Sequence, residues 1–233
     1  RFRKEGDLAT KFYLSFLEDE PRPDAAVITA LNEGASRIIV SEVFLTISNH
    51  TAEGKELIEK INPNDYGVSI AFTGPLWDSK TLQSMFIERV SKNLGNTDTK
   101  KVGVLLVGHG QPKEWDLKWP TETEHEIKFR KEVLGLFVKN GYNPKNLDLA
   151  WMEFREPCTS DAIQKLIQNE VEKIFYFSAA ISADSIHSMC DLPELVSKCE
   201  VPNFVEVINL GAWNDDPIVI DAIKEKIERV RFA

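Results

Sequence analysis

The sequence predicts an α/β protein of two similar halves, each a four-stranded parallel sheet flanked by helices. Three observations carry that reading. Short β-rich apolar runs alternate with longer segments of helical period, the pattern of βαβ units on a parallel sheet. Sequence islands also recur in one order. Glu20-Pro21 returns as Glu156-Pro157, Ala35-Ser-Arg-Ile-Ile-Val40 as Val171-Glu-Lys-Ile-Phe-Tyr176 and Trp77-Asp78 as Trp213-Asn214, all at one spacing. Phe2-Arg-Lys-Glu5 with Phe129-Arg-Lys-Glu132, and Ile87-Glu-Arg-Val90 with Ile227-Glu-Arg-Val230, keep nearly that spacing, as an internal duplication would. Finally, Gly95–Lys101 is polar and breaks the periodicity, so the boundary falls there, with 1–97 as the N-terminal half and 98–233 as the C-terminal half.

Strands are expected within Asp7–Leu17, Ser36–Thr46, Gly67–Phe72, Val102–Val107, Leu147–Met152, Lys173–Ile181 and Asn203–Ile208. Pro23-Asp24 opens a helix that ends near Gly34, and Thr159-Ser-Asp161 opens its counterpart with N-cap chemistry. Two more helices, Ser79–Leu94 and Pro217–Val230, follow the Trp77 and Trp213 turns. The repeat pairs Phe2 with Phe129, which a strand, a loop and a helical segment precede, so the first half's opening strand is expected to be absent from this chain. Terminal targeting signals are therefore not read from it.

At 233 residues, 42% hydrophobic and 28% charged, the chain has the composition of a soluble globular protein. Its longest apolar runs are strand-sized, short of the roughly 20 residues that cross a bilayer. A net charge of −9 argues against a nucleic-acid surface, which needs clustered Lys and Arg, and for a small ligand. Cys158, Cys190 and Cys199 form no CxxC pair, which favours reduced thiols in a cytoplasmic setting.

Ligands of parallel α/β sheets sit beyond the carboxyl ends of the strands, in a cleft that two similar halves can share. Three strand ends carry metal-competent side chains. Val102–Val107 runs into Gly108-His109-Gly110, where flanking glycines leave the imidazole uncovered; the alternative is a histidine satisfied inside a turn. Leu147–Trp151 ends at Met152-Glu153, whose burial is costly unless it binds a cation or a proton, with an ion pair to Arg155 as the alternative. Lys173–Ile181 leads to His187, and Asp191 four residues on can hold its tautomer if the segment is helical; otherwise the two form an ordinary surface pair. Two His and one Glu with open positions suit Fe²⁺, Co²⁺, Ni²⁺ or Zn²⁺, and Cys190 is either a fourth ligand or a small buried hydrophobe. His125, in a charged helix start, reads as a surface residue. Trp115 and Trp119 stand on a polar loop and either stack on a planar ligand or cap a core edge.

Gly108-His109-Gly110 after a strand, Glu153 ahead of Pro157, and His187-x-x-x-Asp191-Leu-Pro together resemble the class II tetrapyrrole chelatases. The nearest group is the sirohydrochlorin cobaltochelatases of the CbiX type, with ferrochelatases more distant. The first half adds Phe16-Leu-Glu18-Asp-Glu-Pro21, Gly34–Val40 and His50. The resemblance implies a lyase that inserts Co²⁺, Fe²⁺ or Ni²⁺, as substrate, into a tetrapyrrole of cobalamin, sirohaem or haem biosynthesis, with no organic cofactor. It implies that His109, Glu153 and His187 handle the metal and the pyrrole protons with Asp191 behind them, and that Glu18, His50 and Trp115 contact the ring. Two departures stand out. Gln111-Pro112 and a long loop replace the serine and basic residue of short relatives, and Gly54 stands where an acid would follow His50, with Glu53 beside it. Catalysis is therefore assigned to the second half. Lys113, Lys118, Arg130 and Arg155 are the expected partners of the substrate's carboxylates. A metal or tetrapyrrole carrier on the same fold and a metal-dependent hydrolase are the competing functions.

Overall fold

The computed structural model describes residues 10–231. The chain divides into two compact units. One draws its described residues from Arg1–Val43, Ile47–Pro75 and Ile223–Ala233, the other from Phe44–Thr46 and Leu76–Ala222.

In the first unit, β1 (Arg37–Val40) pairs in parallel with β2 (Ser69–Phe72), Arg37 opposite Ser69. Helices α1 (Pro23–Asn32) and α2 (Asn49–Glu59) belong to it; a proline in the first turn of α1 and a Ser48–Thr51 capping box on α2 start them as the N-terminal rules require. The four-stranded sheet expected of the first half is thus two-stranded among the described residues. Residues 10–17 of the expected Asp7–Leu17 strand form no strand, and 7–9 lie outside the described residues. Tyr13, Leu14 and Phe16 of this run are exposed, so its apolar side chains do not cover a sheet face.

The second unit is built on a parallel sheet ordered β4-β3-β5-β6, with β3 Val102–Gly108, β4 Leu147–Trp151, β5 Lys173–Ser178 and β6 Glu206–Asn209. Every residue of β3 is buried, which is why a wholly apolar run sits centrally. Strand alternation sends Leu105 and Val107 to one face, where they pack with Ile163 and Leu166 of α5 (Thr159–Gln168) and Leu192 and Val196 of α6 (Leu192–Ser197). The other face takes α3 (Lys80–Asn93) and α4 (Pro120–Lys139). There Phe86 meets Phe177 edge-on at 4.9 Å and Phe129 at 5.8 Å, a cluster in which deleting one ring costs about 3–5 kcal/mol. This packing places α3 in the second unit although the polar Gly95–Lys101 break follows it, because compaction tracks the apolar face of the helix. The last helix, α7 (Pro217–Arg231), contributes residues to both units. No helix among the described residues is long and apolar enough to cross a membrane.

Candidate functional site

The parallel ladder between β3 and β4 runs past both strands. Met152 N–H donates to Gly108 O (2.9 Å) and Glu153 N–H to His109 O (3.1 Å), which fixes the backbone of Glu153 beside His109. Both glycines of the Gly-His-Gly turn face close neighbours, and at Gly110 the neighbour is backbone. A Cβ on Gly110, at φ +90°, would stand 2.2 Å from Glu153 O, and one on Gly108 would stand 1.9 Å from Glu126 Oε1. The loop after β5 is tied to the Trp213-Asn214 turn: Trp213 Nε1–H donates to Ala179 O (2.9 Å), and Asn214 bonds Asp184 through both its amide atoms. That loop ends in a π-helical turn, His187–Asp191.

Because β4 and β5 both border β3, their loops meet above it. The His109 and His187 rings lie with centroids 4.6 Å apart at 70°. His109 Nδ1 is 2.8 Å from Gly110 O, and His187 Nδ1 is 2.7 Å from Asp191 Oδ2. A carbonyl and a carboxylate only accept, so in the neutral imidazole each Nδ1 carries the proton and each Nε2 keeps the lone pair that a metal ion or a proton needs. Both rings are half-buried, while Glu153 is exposed, contrary to the burial expected from its apolar neighbours; its strand has already ended and its side chain is past the core. His109, Glu153, His187, Asp191, Glu194 and Lys198 help line a cavity of about 190 Å³. Cys190 is exposed and does not line it.

A buried polar layer that the sequence reading missed supports the turn from below. Arg130 is fully buried, donates to Leu106 O (3.0 Å) and Ala150 O (2.7 Å), lies 4.0 Å from the Trp151 ring centre and pairs with Glu126 at 3.3 Å. Burial pushes the Glu126 carboxyl up, against the pull of Arg130 and His109. Arg130 is therefore a structural cation, not a partner for substrate carboxylates. Arg155 is likewise engaged: it pairs with Asp116 at 2.5 Å and holds the loop at Lys113–Leu117. Asp116 also accepts from Gln111 (2.8 Å), and its bond to Arg155 holds its carboxyl below the usual range. Lys113 and Lys118 are exposed, as is Trp115. His125, expected at the surface, is half-buried and stacks on Trp77 with centroids 3.9 Å apart. The only sequence trace of this layer is Glu122, Glu126 and Arg130 at helical spacing after the Gly-His-Gly turn.

Glu122 gives a stability prediction. Burial first, then Glu126 and Asp116, raise its carboxyl to about 7. The folded state then binds a proton that the unfolded chain releases near pH 4.5, so this stability is complete below that pH and is lost as pH rises through about 7. Glu122→Gln is expected to raise stability at pH 8 by roughly 1–2 kcal/mol, discounted for solvent contact, and to match the parent near pH 4.5. Thermal melts at the two pH values check this; equal shifts at both would refute it.

In the first unit, Glu18, His50 and Glu53 bring their ligand atoms within 4.8 Å of one another, His50 and Glu53 standing one turn apart on α2. Glu53 also pairs with Arg22 at 3.3 Å. Glu156, Cys158 and Asp161 form a second such group. Glu153 does not complete a comparably tight set with His109 and His187.

Fold and site together define an α/β protein of two parallel sheets with paired imidazoles at adjoining strand ends. A sequence profile of the ferrochelatase family matches residues 1–230, and the chain belongs to that family. Among solved structures it is similar to SirB from Bacillus subtilis with Fe³⁺, at 17% identity and a TM-score of 0.69 over 93% of this chain and 81% of that one. The sirohydrochlorin chelatase SirB from Bacillus subtilis subspecies spizizenii in complex with cobalt is similar at 15% identity and a TM-score of 0.65, over 92% and 78% of the two chains. No curated protein sequence matches significantly.

Proposed function

We propose that the protein inserts a divalent metal ion, Co²⁺, Fe²⁺ or Ni²⁺, into a tetrapyrrole such as sirohydrochlorin, as a lyase of cobalamin, sirohaem or haem biosynthesis. The observation that carries this reading is the His109–His187 pair, two imidazoles with Nε2 unengaged by Asp191 or Gly110, at the strand ends of a ferrochelatase-family chain. Insertion forms metal–nitrogen bonds as two pyrrole N–H bonds break, so two protons must leave for each metal that enters. His109, His187 and Glu153 serve as the donors that hold the ion and the bases that take those protons, and Asp191 orients His187. Glu18, His50 and Trp115 act on the ring. The paired sequence islands support an internal duplication with halves 1–97 and 98–233. Three free cysteines fit a reducing, cytoplasmic compartment.

Purified protein mixed anaerobically with metal-free sirohydrochlorin and Co²⁺ is expected to accelerate the absorbance change of metal insertion over the uncatalysed mixture. Ring binding without any acceleration would instead favour the carrier function.

The Glu18, His50 and Glu53 cluster favours a second reading, in which the metal is held by the first unit. Its two carboxylates and one imidazole make a harder donor set than the histidine pair.

A further inference from the structure

The turn between β6 and α7 is gripped by one side chain. Arg89 of α3, its side chain 16% exposed, donates from Nη1 to Leu210 O (3.1 Å) and Ala212 O (2.5 Å), from Nη2 to Trp213 O, and from Nε to Asp216 Oδ2 (3.0 Å). A guanidinium presents its N–H groups in a fixed planar fork, so one residue can hold three carbonyls of a single turn together; a lysine ammonium, a compact point charge, cannot. Gly211 and Asn214 of this turn both take left-handed conformations, at φ +69° and +54°, the second uncommon for a residue with a side chain.

What the turn in its own right holds is the approach to His187. Trp213 N–H donates to Ile181 O (3.1 Å), Asn214 N–H to Ser182 O (3.0 Å) and Asp184 N–H to Asn214 Oδ1 (2.8 Å), while Asn214 Nδ2 donates to Asp184 Oδ1 (3.0 Å). The Trp213 ring is fully buried and bonded to Ala179 O. None of residues 180–186 is buried, so core packing does not fix this segment and its hydrogen bonds to the turn do. An unbroken run of contacts thus leads from α3 through Trp213 and Asn214 to Asp184, three residues before His187.

We propose that Arg89 is a positioning residue for the reaction: by clamping the carbonyls of Leu210, Ala212 and Trp213 it sets the loop that precedes His187, and so holds that imidazole against His109, without itself meeting metal or ring. This role rests on the chelatase function proposed above. Its effect is on rate because a reacting group displaced by about 1 Å can lose about 10²-fold, even when the change lies far from the chemistry. A cation serving folding alone would change stability and leave the rate below the melting temperature as it is.

Arg89→Lys keeps the cation but loses the fork. It is expected to lower kcat for anaerobic insertion of Co²⁺ into sirohydrochlorin by about tenfold or more with KM little changed, measured well below the melting temperature. Amide exchange at Asp184, Trp213 and Asn214, whose N–H groups make the bonds to and from the turn, should quicken while exchange in β3 stays parental. Asn214→Gly tolerates the positive φ and drops both side-chain bonds to Asp184; it should lose rate likewise, and the double variant scarcely more than either single one, because both act on one path. Arg37→Lys is the matched control. Arg37 donates to Val230 O (2.5 Å) and Arg231 O (2.7 Å) at the other end of α7, and its substitution should leave kcat and those three amides unchanged. Parental kcat in Arg89→Lys, an equal fall in Arg37→Lys, or losses that multiply in the double variant would overturn the positioning role while the chelatase function stands. An unsubstituted protein that inserts no metal would remove both.

Discussion

His109→Ala and His187→Ala are each expected to lower the rate of metal insertion by about 10²–10⁴-fold, the range for losing a positioned acid–base group. Thermal stability should change little. Both rings are half-buried beyond the strand ends, and the hydrogen bond of each Nδ1 is local, to Gly110 O or to Asp191. Substitutions at such positions usually stay within about 1 kcal/mol. The two residues also face each other at 4.6 Å, so the double variant should lose scarcely more than either single one, as groups that act as a unit do. Anaerobic insertion kinetics beside thermal melts make the comparison. Parallel loss of stability and activity would mark the histidines as structural and end their assignment.

Glu153→Gln is expected to depress kcat by roughly 10²-fold or more, because the amide can neither take a pyrrole proton nor contribute anionic charge to a cation. Glu18→Gln and His50→Ala should instead raise the apparent KM more than they lower kcat, if the second unit carries the chemistry. Glu153 and Glu18 are both exposed and their substitutions are nearly isosteric, so the contrast reports role and not stability. The geometry gives the opposite result a definite meaning. Glu18, His50 and Glu53 already cluster within 4.8 Å, so an essential Glu18 and His50 beside a dispensable Glu153 would place metal handling in the first unit. The chelatase function would survive that outcome and the residue assignment would not.

The parts of the site legible in the sequence were those written by local rules. A wholly apolar run ending in Gly108-His109-Gly110 specifies a buried parallel strand and a tight turn, and His187 with Asp191 four residues on specifies a hydrogen-bonded pair if the segment is helical. Both are present, with a π-helical turn carrying the pair. Arg130 was misjudged because a cation in a charged helix reads as solvent-facing. Whether it points to water or under a strand end depends on the carbonyls of Leu106 and Ala150, which come from two different strands.

The sequence by itself therefore determined the α/β alternation, most of the strands and helices, and the three strand-end residues His109, Glu153 and His187, because periodicity and turn chemistry act over a few neighbouring positions. The tertiary structure alone decided that β3 lies between β4 and β5, so that those residues share one cavity. It also decided that α3 packs with the second sheet and not the first, and that Glu126 and Arg130 lie buried beneath the histidine turn. Strand order and burial are set by which apolar faces meet across long sequence separations, and no local pattern of residues records that meeting.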